Sequence, residues 1–526
     1  VEPGAVFVAG ATGYVGGRLV PLLLSRGYAV RAGVRSPRKL AARPWGAQPG
    51  LSILPADVTD RASLAAAMRG CTVAFYLVHS MGAGGDFAQA DRDAAQNMAQ
   101  AAAEAGVSRI IYLSGLGATE ETGEAGLSEH LRSRSEVGRI LSEGPVPATV
   151  LRAAVILGSG SASFEIIRNL VERLPLMITP RWVRTRCQPI AVSNVLGYLV
   201  GCLENAATAG LTLDIGGPDV VTYAELFRIF ARAAHLRAPL IIPVPFLTPT
   251  LSAHWVNLIT PVPAHLIRPL IEGLRNEVVC RDKRILELVP QQLLSCHEAI
   301  AQALSETTQG PAPSCCFDAG GVCAPDFLSG RTSCPVDSPA EWTKAGDAPF
   351  AGGTLFTADY AVTLDAPPAQ VWEAVTRIGG ATGWYAGDVL WRIRGLADKL
   401  IGGPGHMRGR RDPERLGVGD ALDFWRVLDA EPQRRLLLLA EMKVPGAATF
   451  ELRLEPQDME GAPGRGTRLS LLTSFRPRGL WGLAYWWSMY PAHGLLFPAM
   501  LRNIARAAKA RILSGPTKLG PKKAGA

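Results

Sequence analysis

At 526 residues, with 48% hydrophobic and 19% charged side chains, the chain lies outside the disordered class. It is also too long for one hydrophobic core, because cores stop growing near roughly 250–300 residues. The formal net charge of +8 is gathered at one end: eleven Lys or Arg follow Glu460, the last acidic residue, which leaves residues 1–460 at a net −3. Such an end suits an anionic surface, or it is a solvated tail.

In chain order, six short β-branched runs come first, between Ala5 and about Leu157: AVFVAG, AVRAGV, LSILPAD, TVAFYLV, RIIYLSG and ATVLRAAVI. Helical patterns such as 17–25 and 92–105 alternate with them. This alternation predicts an α/β fold, a doubly wound parallel Rossmann sheet with right-handed crossovers. The first run starts almost at once and leaves no room for a signal peptide, so a cytoplasmic protein is expected. From 161 to 305 the pattern turns irregular and helix-rich, broken by Pro243, Pro245, Pro261 and Pro263. It reads as a helical substrate lobe completing a first domain over 1–305.

Residues 306–347 are rich in Gly, Pro and Cys and read as a linker. The nine cysteines are odd in number, and Cys202 and Cys280 sit in apolar runs, so reduced intracellular thiols are expected. The clustered Cys315, Cys316, Cys323 and Cys334 lack paired C-x-x-C spacing and read as unpaired thiols; no metal site is expected.

A second domain is predicted over 348–513, with a strand at Thr354–Leu364 and a helix at Pro368–Arg377. Strands at Asp420–Leu428, Leu436–Met442, Thr449–Leu454 and Thr467–Phe475 and a long apolar helix complete an α+β fold, followed by a basic tail over 514–526. The 23 residues Gly479–Leu501 carry no formal charge. That length could cross a bilayer, but Pro491, His493 and Pro498 favour a buried final helix. Leu501, Ile504, Ala505, Ala508 and Ile512 then recur at helical spacing, with Arg502, Arg506, Lys509 and Arg511 elsewhere. This basic amphipathic pattern predicts peripheral contact with an anionic inner membrane, the alternative being a solubilising tail. No nucleic-acid motif accompanies the charge, so no nucleic-acid partner is expected.

The chemistry is concentrated in the first turn, Gly10-Ala11-Thr12-Gly13-Tyr14-Val15-Gly16. These glycines follow a strand and open a helix, where they permit a tight turn, close approach of backbone to a pyrophosphate and bare N–H groups at a helix N-terminus. A nicotinamide dinucleotide is the expected partner. The second strand ends Val34-Arg35-Ser36-Pro37-Arg38-Lys39, without the acid that would meet an NAD ribose. Arg35, with Arg38 or Lys39, could pair with a 2′-phosphate, which favours NADP(H) over NAD(H); the alternative is an exposed basic turn.

The glycine loop, Asp57-Val58 after the third strand and Tyr112-Leu113-Ser114 on the fifth resemble the atypical, extended short-chain dehydrogenase/reductases over roughly residues 4–305. The resemblance implies that Asp57 and Val58 lie by the adenine, that Leu77 and Val78 with His79 and Ser80 border the nicotinamide ribose, and that Ser114 is catalytic. That family uses a Tyr and a Lys four positions apart; here His130 and Arg134 stand in their places. His130 could serve as an acid near neutral pH and Arg134 could hold the ribose, but Arg is not a tunable group. Two readings follow: an oxidoreductase acting on an apolar carbonyl or alcohol through Ser114, His130 and Arg134, or a non-catalytic NAD(P)H-binding sensor or assembly protein at the membrane.

The run Gly383-Trp384-Tyr385, Leu390-Trp391, Arg408 to Pro413 and Asp423-Phe424-Trp425-Arg426 resembles a domain of unknown function fused to such Rossmann proteins in bacteria and similar to START-like helix-grip folds. The whole chain resembles two-domain NAD(P)-binding bacterial proteins whose Rossmann half is akin to a complex I accessory subunit. The helix-grip resemblance implies a cavity for an apolar small molecule, lined by Trp384, Trp391, Trp425, Trp481, Trp486 and Trp487 unless these are core. Arg408, Arg410 and Arg411 either bind an anion or pair with Asp412 and Glu414.

Overall fold

The computed structural model describes residues 4–519 except 42, 79–86, 118–126, 245–270 (save 256, 260 and 267), 310–355, 408, 409, 411, 413, 460, 461 and 478. His79, Ser80, the four clustered cysteines, Arg408 and Arg411 lie outside the described residues. The chain divides into two compact units, Val1–Gly320 and Gly321–Ala526.

The first unit is built on a seven-stranded sheet. Its strands are β1 (Ala5–Ala9), β2 (Val30–Val34), β3 (Leu51–Pro55), β4 (Cys71–Tyr76), β5 (Arg109–Gly115), β6 (Ala148–Ala153) and β7 (Thr212–Ile215). They are ordered β7-β6-β5-β4-β1-β2-β3, and every pairing is parallel. Such strands are buried on both faces and therefore read as unbroken apolar runs. On β1, Val6 and Val8 pack on one side with α1 (Gly16–Ser25), while Phe7 and Ala9 face the other. That other side is covered by α2 (Arg61–Met68), α3 (Phe87–Glu104) and α4 (Glu129–Ser142). Asp60 caps α2, its carboxylate accepting from Ala62 N and Ser63 N, and Ser128 caps α4 through Leu131 N.

Two features depart from the expected boundaries. The seventh strand comes from the stretch read as lobe: α5 (Val192–Glu204) returns the chain to the sheet, and Leu213 and Ile215 of β7 are fully buried. A four-residue strand beside mixed turns has no period to reveal it. The helix α6 (Cys296–Gln309) runs past the predicted domain end at 305 into the predicted linker, and its Glu306 binds Arg18 of α1 at 3.1 Å.

The second unit is α+β. β8 (Phe356–Asp365), β9 (Trp425–Glu431), β10 (Arg435–Ala440), β11 (Gly446–Met459), β12 (Ala462–Pro477) and β13 (Arg511–Lys518) pair antiparallel in the order β9-β10-β11-β12-β8-β13, with Ala421–Leu422 beyond β9. Alternate residues such as Val362, Leu364, Phe450, Leu452, Leu469 and Leu471 form the core with α7 (Pro368–Thr376) and α9 (Gly479–Ala507). Between them in sequence lies α8 (Asp388–Leu400).

The chain end corrects the sequence reading. The helix stops at Ala507, and Arg511–Lys518, expected to be helical and then a basic tail, is strand β13 paired with β8. Leu501, Ile504, Ala505 and Ala508 are buried in the core, so the apolar face assigned to a membrane is already covered. The expected aromatic lining is also redistributed: Trp384, Trp425 and Trp486 are core residues packed on Phe424, Phe450 and Phe475, Trp391 is half-buried, and Trp481 and Trp487 are on the surface. Among the described residues Arg410 makes no ion pair with Asp412 or Glu414. Its guanidinium donates to the carbonyls of Ile378, Asp412 and Arg415.

Candidate functional site

The turn joining β1 to α1 is sterically committed to glycine at two places, Gly10 and Gly16, and is tight at Gly13. Gly10 has φ +87°, and a Cβ there would meet Leu77 O at 2.6 Å. At Gly13 a Cβ would stand 3.2 Å from Gly10 O, and at Gly16 only 2.2 Å from it. The turn closes through Gly13 N donating to Gly10 O at 2.9 Å, and α1 starts as Gly17 N reaches Gly13 O at 2.9 Å. No side chain caps α1 at Val15. A helix N-terminus without a side-chain cap, bordered by glycines on which a Cβ would intrude, is a cradle suited to a pyrophosphate.

Around this turn the parallel sheet places the other predicted cofactor residues after the carboxyl ends of β2, β3 and β4, the side on which ligands of open α/β sheets bind. Thr12 and Tyr14 lie within the loop. Arg35 follows β2, exposed and hydrogen-bonded to no other described residue; Lys39 lies on the short helix Pro37–Ala41. The carboxylate of Asp57 accepts from Thr59 N and Thr59 Oγ1, both at 2.9 Å, while Val58 O accepts from Asn97 Nδ2. Leu77 N donates to Ala9 O at 3.0 Å, which holds the end of β4 against the loop, and Val78 packs beside it.

The predicted catalytic residues are only partly brought together. Ser114, nearly buried at the end of β5, donates from Oγ to Arg134 O at 3.1 Å, and Arg134 Nη1 donates to Leu113 O at 3.2 Å. These bonds tie α4 to the strand end and direct both side chains toward the main chain. His130 lies one turn earlier on α4; burial first, and then Arg134, hold its pKa down at about 3. The imidazole is neutral near pH 7 and is not the acid expected of it, although a neutral ring N–H can still polarise an oxygen.

Some neighbours were missed from sequence. Gly158 lies so close to Tyr14 that a Cβ would meet its hydroxyl at 2.4 Å, and Arg18 stacks over the Tyr14 ring while donating to Ser159 O at 2.7 Å. Tyr76 and Tyr112, ring centroids 5.7 Å apart, sit beside Arg134, and burial raises the Tyr76 pKa first, with Tyr112 and Asp91 adding to it. Tyr76 ends a strand run and offered a signal; Gly158 had none, because its partner lies far away in sequence.

Comparison with known proteins agrees with this arrangement. Residues 10–167 match a family model described as NAD(P)H-binding, and residues 350–500 match one described as a protein of unknown function (DUF2867). Cinnamoyl-CoA reductase 1 of Oryza sativa subsp. japonica is 36% identical over 121 residues, which is 22% of this chain and 36% of that protein. A dihydroflavonol 4-reductase of Zea mays is 44% identical over 85 residues, 15% of this chain and 24% of its own length. These stretches span about a third and a quarter of the two reductases. The mitochondrial NADH dehydrogenase [ubiquinone] 1 alpha subcomplex subunit 9 of Arabidopsis thaliana is 26% identical over 305 residues, 54% of this chain and 74% of that one. Among solved structures, a nucleoside-diphosphate-sugar epimerase of Staphylococcus aureus is 16% identical at a TM-score of 0.46, covering 56% of this chain and 99% of its own. The first unit thus carries a Rossmann domain of the NAD(P)H-binding kind.

Proposed function

We propose that the first unit binds NADP(H) and uses it to transfer hydride to or from an apolar carbonyl or alcohol. The observation carrying this reading is the β1–α1 turn, tight enough that a Cβ at Gly10 or Gly16 would collide with main-chain oxygens and opening a helix with no side-chain cap, together with Arg35 exposed after β2 with no acid beside it in sequence. When bound, the dinucleotide supplies the hydride. The loop N–H groups hold the pyrophosphate, and Arg35, helped by Lys39, pairs with the 2′-phosphate. Asp57 and Val58 flank the adenine; Leu77 and Val78 border the nicotinamide ribose. His130, neutral, donates a ring N–H hydrogen bond to the carbonyl oxygen while solvent exchanges the proton that interconverts alkoxide and alcohol, with Ser114 and Arg134 holding α4 in position.

A second reading is binding without turnover, as a sensor or assembly component. It is favoured by the Ser114 hydroxyl proton and one Arg134 N–H both being directed to main-chain carbonyls. Calorimetric titration of NADPH and NADH tests the first step: Arg35→Gln should weaken NADPH about tenfold or more and leave NADH unchanged. Equal loss for both cofactors would exclude the phosphate contact. Hydride transfer assayed over a panel of apolar aldehydes, ketones and alcohols tests the second. Loss of turnover in His130→Ala with cofactor affinity intact supports the catalytic reading, and no turnover by the unaltered protein supports the sensor.

A further inference from the structure

The second unit exposes more apolar surface than a water-facing pair of helices needs. On α8, Val389, Ile393, Leu396 and Leu400 recur at i, i+4, i+7 and i+11, each more than half exposed. On α9, Leu480, Trp487 and Leu495 share one stripe; Leu480 is 82% exposed and Leu495 77%, with Trp481 beside them at 82%. The two helices are neighbours. Arg394 of α8 lies over the Tyr485 ring of α9 at 5.1 Å, and a Cβ at Gly387 would strike Leu496. In both helices the exposed stripe is opposite the face that enters the core, where Trp391 and Gly395 of α8 and Trp486 and Phe497 of α9 lie. The stripes therefore form one outer apolar face.

The charges around this face are of one sign. The α9 stripe continues at the same helical angle into Arg502 and Arg506, both exposed. Arg392 flanks the α8 stripe, and Lys443, exposed, donates from Nζ to Ile401 O at the end of α8. Arg394, in the seam, meets Met442 Sδ, Met489 Sδ and the Tyr485 ring. The exposed stripe positions on both helices hold no carboxylate; Asp388 is turned to Trp384 N and Asp398 is buried. A second copy of the same face would bring cations against cations.

We infer that the outer faces of α8 and α9 dock the protein on an anionic lipid bilayer, with Trp481, Trp487 and the leucines entering the headgroup–acyl boundary and Arg392, Lys443, Arg502 and Arg506 meeting lipid phosphates. Among the described residues no helix is long and apolar enough to cross a membrane, so these helices lie along the surface. This surface is distinct from the buried Leu501–Ala508 face and independent of the cofactor site. Trp and Leu together with Lys and Arg, and without Asp or Glu, match a bilayer better than a protein partner, whose contacts would draw on both signs of charge.

The test is cosedimentation of the full chain with vesicles of phosphatidylcholine alone and of equal parts phosphatidylcholine and phosphatidylglycerol. The unaltered protein should pellet with the mixed vesicles and be released by high salt. Trp481→Ser with Leu400→Ser should lower partitioning about a hundredfold, and Arg502→Gln with Arg506→Gln about tenfold on mixed vesicles only. All four side chains are exposed, so an unchanged melting transition is expected in both variants and confirms the fold. Absence of pelleting by the unaltered protein, or equal pelleting by the Trp481/Leu400 variant, overturns the proposal. So does a dimer in light scattering that becomes monomer in that variant without any vesicle binding, which would assign the face to a second copy.

Discussion

Both units carry a glycine-rich turn, and the two turns use glycine for opposite ends. In the first unit the loop from Gly10 to Gly16 opens α1 without a side-chain cap, and the nearest atoms to a Cβ at Gly13 or Gly16 are main-chain atoms of the loop itself. In the second, Gly379, Gly380, Gly383 and Gly387 all have positive φ, yet the turn is filled from within the chain. Asp423 accepts from Trp384 Nε1 at 2.8 Å and from Gly380 N, Asp388 accepts from Trp384 N at 2.8 Å, and Gly379 N donates to Gly383 O. A carboxylate of the protein occupies the position that an anionic ligand would take. Glycine content marks a tight turn; a ligand site also needs donors left over.

The sharpest way to break this contrast is Gly16→Ala. Its Cβ would fall 2.2 Å from the main-chain oxygen of Gly10, which has no flexible end to yield. NADPH binding should weaken about a hundredfold and unfolding stability fall by about 2 kcal/mol, read by calorimetry and urea denaturation. Retained affinity would remove the loop from the site. The counterpart is Asp423→Ala, which strands the buried Trp384 N–H and the Gly380 N–H. Stability should fall by about 2–3 kcal/mol with NADPH affinity unchanged; an affinity change would mean that the second turn also serves the cofactor.

A separate effect is expected in acid. His130 and His493 have folded pKa values lowered to about 3 and about 4, burial being the first cause and a nearby Arg, Arg134 or Arg394, the second. Both groups take up a proton in the unfolded chain near pH 6.5 while the folded protein resists until pH 3–4. Their contribution is therefore fully present above about pH 6.5 and lost as pH falls through that window. Urea midpoints measured from pH 7 to 4 should decline, and His130→Asn should flatten the decline; an unchanged slope would show that His130 titrates freely.

How much was legible follows from the range of the interactions. The first six strands of the parallel sheet and the glycine loop could be read, because burial on both faces writes apolar runs and a tight turn writes glycines within a few residues. Ser114, His130 and Arg134 could be singled out through the family resemblance, but not the hydrogen bonds that turn Ser114 and Arg134 toward the main chain. β7 was hidden in four residues, and β13 was concealed by a helical pattern in its own stretch.

By itself, the sequence determined the parallel α/β unit, the glycine cradle, Arg35 in place of an acid, and an α+β second unit. Only the tertiary structure decided that the Leu501–Ala508 stripe faces the core, that Trp384 and Trp425 are packing residues, and that Trp481 and Leu400 face outward. The reason is physical: local sterics and periodicity are written into neighbouring residues, whereas the side of a helix left uncovered depends on which distant strands have already taken the other side.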